Sequence, residues 1–77
     1  MQLDIMTPDT TIYSGEATLV LFPGIDGLFE VLPQHAPIIA ALRKGKIKVE
    51  ADGKVIFFEI NGGVVQVLND KIHVLAE

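Results

Sequence analysis

The sequence has no cysteine and no tryptophan, and its six lysines and arginines face ten aspartates and glutamates. Each shortage excludes something. Without cysteine, no disulfide and no thiolate metal site can supplement the core, which fits a reducing compartment. A net charge of −4 argues against a nucleic-acid partner, whose phosphates call for clustered Lys and Arg. No apolar run approaches the roughly 20 residues that span a bilayer. The opening Met1-Gln2-Leu3-Asp4 lacks the basic start and apolar stretch of a secretory signal. The expectation is a soluble, cytoplasmic protein without direct membrane insertion, whose link to any membrane runs through a partner.

Recognisable catalytic spacing is also missing. Two histidines, His35 and His73, lie far apart and form no known ligand pattern. His35 is the more informative, because Pro33 and Pro37 restrict the backbone on either side of it. As a general base it needs an acid partner or a nucleophile. The nearest acids are Asp26 and Glu30, and no Ser or Cys accompanies them in a recognisable arrangement. A surface contact, or a hydrogen bond that pins the loop, is the plainer role. Asp26, Asp52 and Asp70 sit in turn sequences, where Asp serves the backbone, and they are too scattered for a calcium loop. Gly24-Ile25-Asp26-Gly27 and Asn61-Gly62-Gly63 lack the Lys-Ser/Thr of a phosphate loop. No cofactor, metal or nucleotide site is expected.

What is present is apolar surface and turns. Hydrophobic residues make up 49% of the chain and the mean hydropathy is +0.43. Residues 1–77 are one domain, and so short a chain has a total stability of about 4–11 kcal/mol. It also has too much surface to hide all its apolar side chains. The excess implies an exposed patch, and such patches mark interfaces.

Turn signals recur at short intervals: Thr7-Pro8-Asp9, Ser14-Gly15, Pro23-Gly24, Asp26-Gly27, Gly45, Asp52-Gly53, Asn61-Gly62-Gly63 and Asn69-Asp70. Between them lie short runs rich in Val, Ile, Leu, Phe and Thr. This is the rhythm of an all-β sandwich or barrel of mostly antiparallel strands. Two hairpins are explicit. Asp52-Gly53, a type I′ sequence, joins residues 46–51 to 54–60, and Asn69-Asp70 joins 63–68 to 71–75. The stretch from Phe22 to Pro37 reads as one stiff, irregular, polar-tipped connection suited to touching a partner. Residues 37–45 are ambiguous: Pro37, the alanines and Gly45 suit a short helix, whereas Ile38 and Ile39 are β-branched.

The faces of the strands differ. In 46–51, Ile47, Val49 and Ala51 oppose Lys46, Lys48 and Glu50, giving one dry and one wet face. In 71–75, Ile72 and Val74 oppose Lys71 and His73. Two strands break this pattern. Residues 17–22 are apolar on both sides apart from Thr18, and in 55–60 only Glu59 is polar. Either these are central strands covered by loops and crossings, or they carry a docking face for another chain. A further alternative is a lipoyl- or biotinyl-type carrier domain with its lysine, Lys71, at a hairpin tip. The flanking Ile72 and Val64 to Leu68 do not supply the residues such domains place beside it. A generic β-sandwich interaction module is the remaining reading.

The chain as a whole resembles the N-terminal β-sandwich of the epsilon subunit of F-type ATP synthases. Leu3-Asp4-Ile5-Met6-Thr7-Pro8 resembles the family's first strand, and Tyr13-Ser14-Gly15-Glu16 its "(F/Y)-S-G-E" turn. Pro23-Gly24-Ile25-Asp26-Gly27 and Leu32-Pro33-Gln34-His35-Ala36-Pro37-Ile38 resemble "PG-x-x-G" and "LP-x-HAP-(L/I)". Asn61-Gly62-Gly63-Val64-Val65-Gln66-Val67 resembles "x-GG-x-x-x-V", and Ile72-His73-Val74-Leu75-Ala76 the closing "V-x-VLA". Each is weak alone, but they occur in order over nearly the whole chain.

The resemblance implies a flattened sandwich of about ten short strands in the central stalk. It would turn with the gamma subunit and the ring of membrane c subunits, and would be non-catalytic itself. One face would pack on gamma, with Val20, Phe22 or Phe57 as contacts. The "HAP" end would rest on the c ring through His35, Asp26, Leu28, Glu30, Pro33 and Gln34. Acidic groups there suit the basic and amide residues of c-subunit loops. The implied location is the cytoplasmic face of the bacterial plasma membrane, as a peripheral part of the synthase. Leu28 stands where many members have an acid, and Glu30 where they have glycine. Positions 28 and 30 share a side of an extended segment, so Glu30 would supply the missing carboxylate. Many members continue after "VLA" into a helical hairpin that inhibits ATP hydrolysis. A chain ending at Glu77 would lack that arm.

Overall fold

The turn dipeptides close the strands where their backbone preferences direct. In the computed structural model, which describes residues 1–77, nine strands follow one another without a helix. They are β1 Gln2–Met6, β2 Thr11–Glu16, β3 Leu19–Gly24, β4 Gly27–Val31, β5 Ile38–Leu42, β6 Gly45–Ala51, β7 Lys54–Ile60, β8 Gly63–Leu68 and β9 Lys71–Ala76. Nine strands replace the expected ten or so. The all-β architecture and the mostly antiparallel pairing are as expected.

The strand order is β2-β1-β9-β8-β5-β3-β6-β7, with β4 attached to β3. A single residue pair, Gly24 with Leu42, joins β3 to β5. That weak link divides the sheet into two wings, β2-β1-β9-β8-β5 and β4-β3-β6-β7. The sheet curls into a half-barrel so that the wings face each other. At the far margin the Tyr13 and Phe58 rings meet at 5.5 Å, bringing the end strands β2 and β7 together. The β1–β9 pair is parallel.

Period-two alternation fills the space between the wings. One wing contributes Leu3, Ile5, Leu42, Val65, Val67, Ile72, Val74 and Ala76; the other contributes Val20, Phe22, Val31, Ile47, Val49 and Ile60. Phe22 is the largest fully buried side chain and stacks on Phe29 at 5.4 Å. No buried polar side chain interrupts the cluster.

Both expected hairpins are present. Asp52 and Gly53 have φ of 52° and 72°, and Asn69 and Asp70 have 53° and 61°. Two consecutive left-handed residues define the type I′ turn that matches strand twist. Gly63 is needed at the start of β8. Its φ is 149°, and a Cβ there would collide with the Leu75 carbonyl on β9.

One reading of the sequence changes and one ambiguity is resolved. Residues 22–37 are not one irregular connection. They contain a regular hairpin, β3–β4, closed by Ile25-Asp26 and registered from Val20–Val31 to Gly24–Gly27. Pro23 and Gly24 extend β3 instead of ending it. Proline is tolerated there because β3 has already parted from β6, whose last pair is Leu21–Lys48. The Pro23 carbonyl accepts the Arg43 N–H at 2.9 Å. Residues 38–42 are a strand, not a helix. β5 pairs with β8 through five consecutive residues, and alternation sets Leu42 inward and Ile39 outward. β-Branching and the available edge of β8 outweigh the helix preference of two alanines.

Candidate functional site

The candidate site is surface, and alternation determines which side chains reach it. On the β4-β3-β6-β7 wing the outward positions form cross-strand rows. One row runs Glu30, Leu21, Lys48, Phe57; the next runs Leu19, Glu50, Val55. Leu28 lies across from Pro23 at the hairpin end. Leu28 is 63% exposed and Phe57 58%. Lys48 and Glu50 pair at 3.5 Å, so ionic groups punctuate the apolar surface. Clustered apolar side chains with a polar frame are the composition of a protein interface.

The other wing is decorated differently. Ala41, Val64, Leu75 and Met6 form an apolar row across β5, β8, β9 and β1. Beside it runs Ile39, Gln66, His73, Asp4, Ser14. Asp4 accepts hydrogen bonds from the Ser14 hydroxyl at 2.6 Å and from Gln2 Nε2 at 3.4 Å. His73 Nδ1 lies 3.8 Å from its other oxygen. The Ser14 hydrogen bond holds the Asp4 carboxyl below its ordinary value of 3.8, against partial desolvation; Gln2 and the charge of His73 pull the same way. The order of contacts is Ser–Asp–His. The hydroxyl proton points to the carboxylate, not to an imidazole, so the cluster is not a nucleophile–base pair.

The expected contact residues separate. Val20 and Phe22 have no exposed surface. They are the inward members of β3, so neither reaches a partner while the core is intact. Sequence alternation identified two sides of β3 but not which one turns inward. Phe57, on the outward side of β7, is the exposed member of that set.

The six residues expected at one end divide along the β4 flank. Asp26 sits in the turn at one end of the β3–β4 hairpin, and Leu28 and Glu30 project outward along β4. Pro33, Gln34 and His35 follow beyond its other end. The five residues of β4 at about 3.3 Å each separate Asp26 from the loop that carries Pro33, Gln34 and His35 by roughly 17 Å. They mark a flank instead of one loop tip. Gln34, with φ of 67°, donates its N–H to Asp70 Oδ1 at 2.9 Å. This ties the His35 loop to the β8–β9 turn. His35 donates its backbone N–H to the Leu32 carbonyl at 3.1 Å. Its Nδ1 stands 2.7 Å from the Ala36 carbonyl, and a carbonyl can only accept, so that nitrogen carries the proton. The ring is therefore part of the loop's own bonding.

Lys71 is not at a free tip. It opens β9 between Leu68 of β8 and Gln2 of β1, which removes the geometry of a carrier lysine. The sequence reading missed Ile39, at 74% the most exposed large apolar side chain, together with Val64, Leu75 and Met6. The signal was available. Val64 alternates with the buried Val65, and Leu75 with the buried Val74 and Ala76.

The geometry defines a small all-β domain with two exposed, partly apolar faces of the kind other chains cover. The comparisons sharpen this. The sequence profile of the ATP synthase delta/epsilon chain β-sandwich domain matches residues 1–77. The chain is similar to the ATP synthase epsilon chain of Desulforamulus reducens, with 41% identity over 76 residues. That alignment covers 99% of this chain and 58% of the relative. The epsilon chain of Chlorobium limicola is 43% identical over 77 residues, covering 99% of this chain and 88% of the relative. A chain in the Euglena gracilis mitochondrial ATP synthase OSCP/F1/c-ring structure has the same fold. Its TM-score is 0.90 at 22% identity, covering 96% of this chain and 48% of that one. A chain of the Tetrahymena thermophila mitochondrial ATP synthase central stalk/c-ring superposes with TM-score 0.83 at 12% identity, covering 97% and 61%. The chain belongs to the family of ATP synthase delta/epsilon β-sandwich domains.

Proposed function

We propose that this domain is a non-catalytic rotor element of the central stalk in a proton-translocating ATP synthase, linking the gamma subunit to the c ring. The observation that carries this reading is the family match over residues 1–77. It is joined by an outward face on which Glu30, Leu21, Lys48 and Phe57 lie in register, with Leu28 two residues along β4 from Glu30. In this reading Phe57 and Val55 form the apolar centre of the gamma contact. Asp26 and Glu30 present carboxylates along the β4 flank, with Leu28 between them, to basic and amide residues of c-subunit loops. The His35 loop, braced by Asp70, forms the flank's second contact. The domain works as a rigid coupler: rotation of the ring reaches the catalytic subunits only if the sandwich transmits torque without yielding. Its place is peripheral, on the cytoplasmic face of a bacterial plasma membrane.

The test is co-purification of this chain with gamma, and separately with c rings, from its own organism. Wild type is compared with Phe57→Asp, Glu30→Ala and His35→Ala. Stable gamma complex with wild type and its loss in Phe57→Asp support the assignment. Loss of ring association in Glu30→Ala supports the flank contact. Absence of any gamma complex at micromolar concentrations overturns the rotor reading.

A further inference from the structure

The connection between β7 and β8 combines a backbone requirement with a chemical consequence. Gly62 has φ of 147°, where side-chain-bearing residues are strained. A Cβ there would also lie 3.1 Å from Glu77 Oε1 and 3.5 Å from the Leu42 carbonyl. The fold thus demands glycine at 62. The preceding residue, Asn61, is exposed. Its backbone N–H donates to the Glu77 carbonyl at 3.0 Å, and the Glu77 N–H donates back to the Gly62 carbonyl at 2.9 Å. Those two bonds use neither the Asn61 side-chain amide nor the Gly62 N–H. Gly62 itself is buried, but it places no Cβ between its amide nitrogen and the exposed Asn61 side-chain carbonyl.

We propose that Asn61 is a site of spontaneous deamidation that marks the age of this domain. The Gly62 amide nitrogen attacks Asn61 Cγ, forming a C–N bond. The Cγ–Nδ2 bond breaks and ammonia leaves with the amide proton, closing a succinimide. Water then opens the ring at either carbonyl, giving aspartate or isoaspartate. The net change is uptake of water and release of ammonia, with no oxidant or reductant.

Other turns are less suited. Asn69 is followed by Asp70, whose side chain crowds the approach and whose carboxylate accepts the Gln34 N–H. Asp52 precedes Gly53, but an ionised carboxylate is a poor electrophile. The consequence is local. Asn61 lines a cleft with Lys44, Lys46 and Glu59, so a new carboxylate there alters the charge beside two lysines. The isoaspartyl form also inserts a methylene into the backbone between the two Glu77 bonds, and this loosens them.

The experiment incubates the intact folded chain at pH 8 and 37 °C, as an incubation condition, and follows peptide masses with fragmentation that separates aspartate from isoaspartate. Conversion at 61 several-fold faster than at 69 or 52 is expected, with loss of amide-exchange protection at Glu77 in the converted fraction. Asn61→Ser, checked for an unchanged melting temperature, is expected to abolish the dominant product. The proposal is overturned if Asn61 stays intact in the folded chain while the urea-unfolded chain converts there. Dominant conversion at Asn69, or an undiminished mass gain in Asn61→Ser, overturns it equally.

Discussion

The two wings share an apolar interior, but their outward faces differ. On β4-β3-β6-β7, charged residues are interleaved with apolar ones along the rows Glu30–Leu21–Lys48–Phe57 and Leu19–Glu50–Val55. On β5-β8-β9-β1 the row Ala41–Val64–Leu75–Met6 is wholly apolar, and the row beside it carries Gln66, His73 and Asp4. Interleaved charge fixes the register and identity of a partner, because each misplaced pair costs energy. A sorted apolar row offers adhesion without register. For the torque-transmitting coupler proposed above, the interleaved wing is the better docking face. This is why the proposed gamma contact is placed there.

The largest expected effect falls on what both wings share. Phe22→Ala removes the largest buried ring and its stacking on Phe29, so urea denaturation should show a loss of about 3–5 kcal/mol. That is a large part of the whole stability and would disable both faces together. Gly63→Ala comes next. Left-handed backbone and the collision with the Leu75 carbonyl should cost about 1–3 kcal/mol, read from the denaturation midpoint. It should also disturb the β8–β9 pairing selectively, visible as amide-exchange loss on that wing.

Paired surface variants separate the two faces. Phe57→Asp and Ile39→Asp should each change stability by no more than about 0.5 kcal/mol, since both side chains are exposed. Only Phe57→Asp should abolish gamma binding in a pull-down. If Ile39→Asp abolishes binding and Phe57→Asp does not, the assignment of the two wings is reversed. The smallest effect concerns Asp4. Its folded carboxyl titrates below 3.8, so its contribution is present above that value and is lost as pH falls through the lower folded value. Ser14→Ala should move the Asp4 titration upward toward 3.8 in an NMR pH series. The stability difference from wild type should vanish at the acidic end, where Asp4 is protonated in both.

The legible parts of the fold were those fixed by neighbours in sequence. Asp52-Gly53 and Asn69-Asp70 specify their turns through left-handed backbone preference, and the alternation in β6 and β9 specifies their dry faces. The candidate site was less legible. Phe57 was singled out because both sides of β7 are apolar, and it is exposed. Val20 and Phe22 were misplaced because β3 is also apolar on both sides, and periodicity cannot tell the side facing a core from the side facing a partner. The β3–β4 hairpin was obscured by Pro23-Gly24, a turn sequence in isolation. It continues a strand here because β6 has departed and Arg43 satisfies the carbonyl.

By itself the sequence determined the all-β class, the turns, the alternation within most strands and the surplus of apolar side chains, since all depend on local backbone chemistry and composition. The tertiary structure decided which side of β3 is core, that residues 38–42 become a strand against β8, and that Asp26 and His35 stand at opposite ends of one flank. Those outcomes depend on strand pairing between residues distant in the chain, and the single Gly24–Leu42 pair that turns the sheet on itself has no local signature.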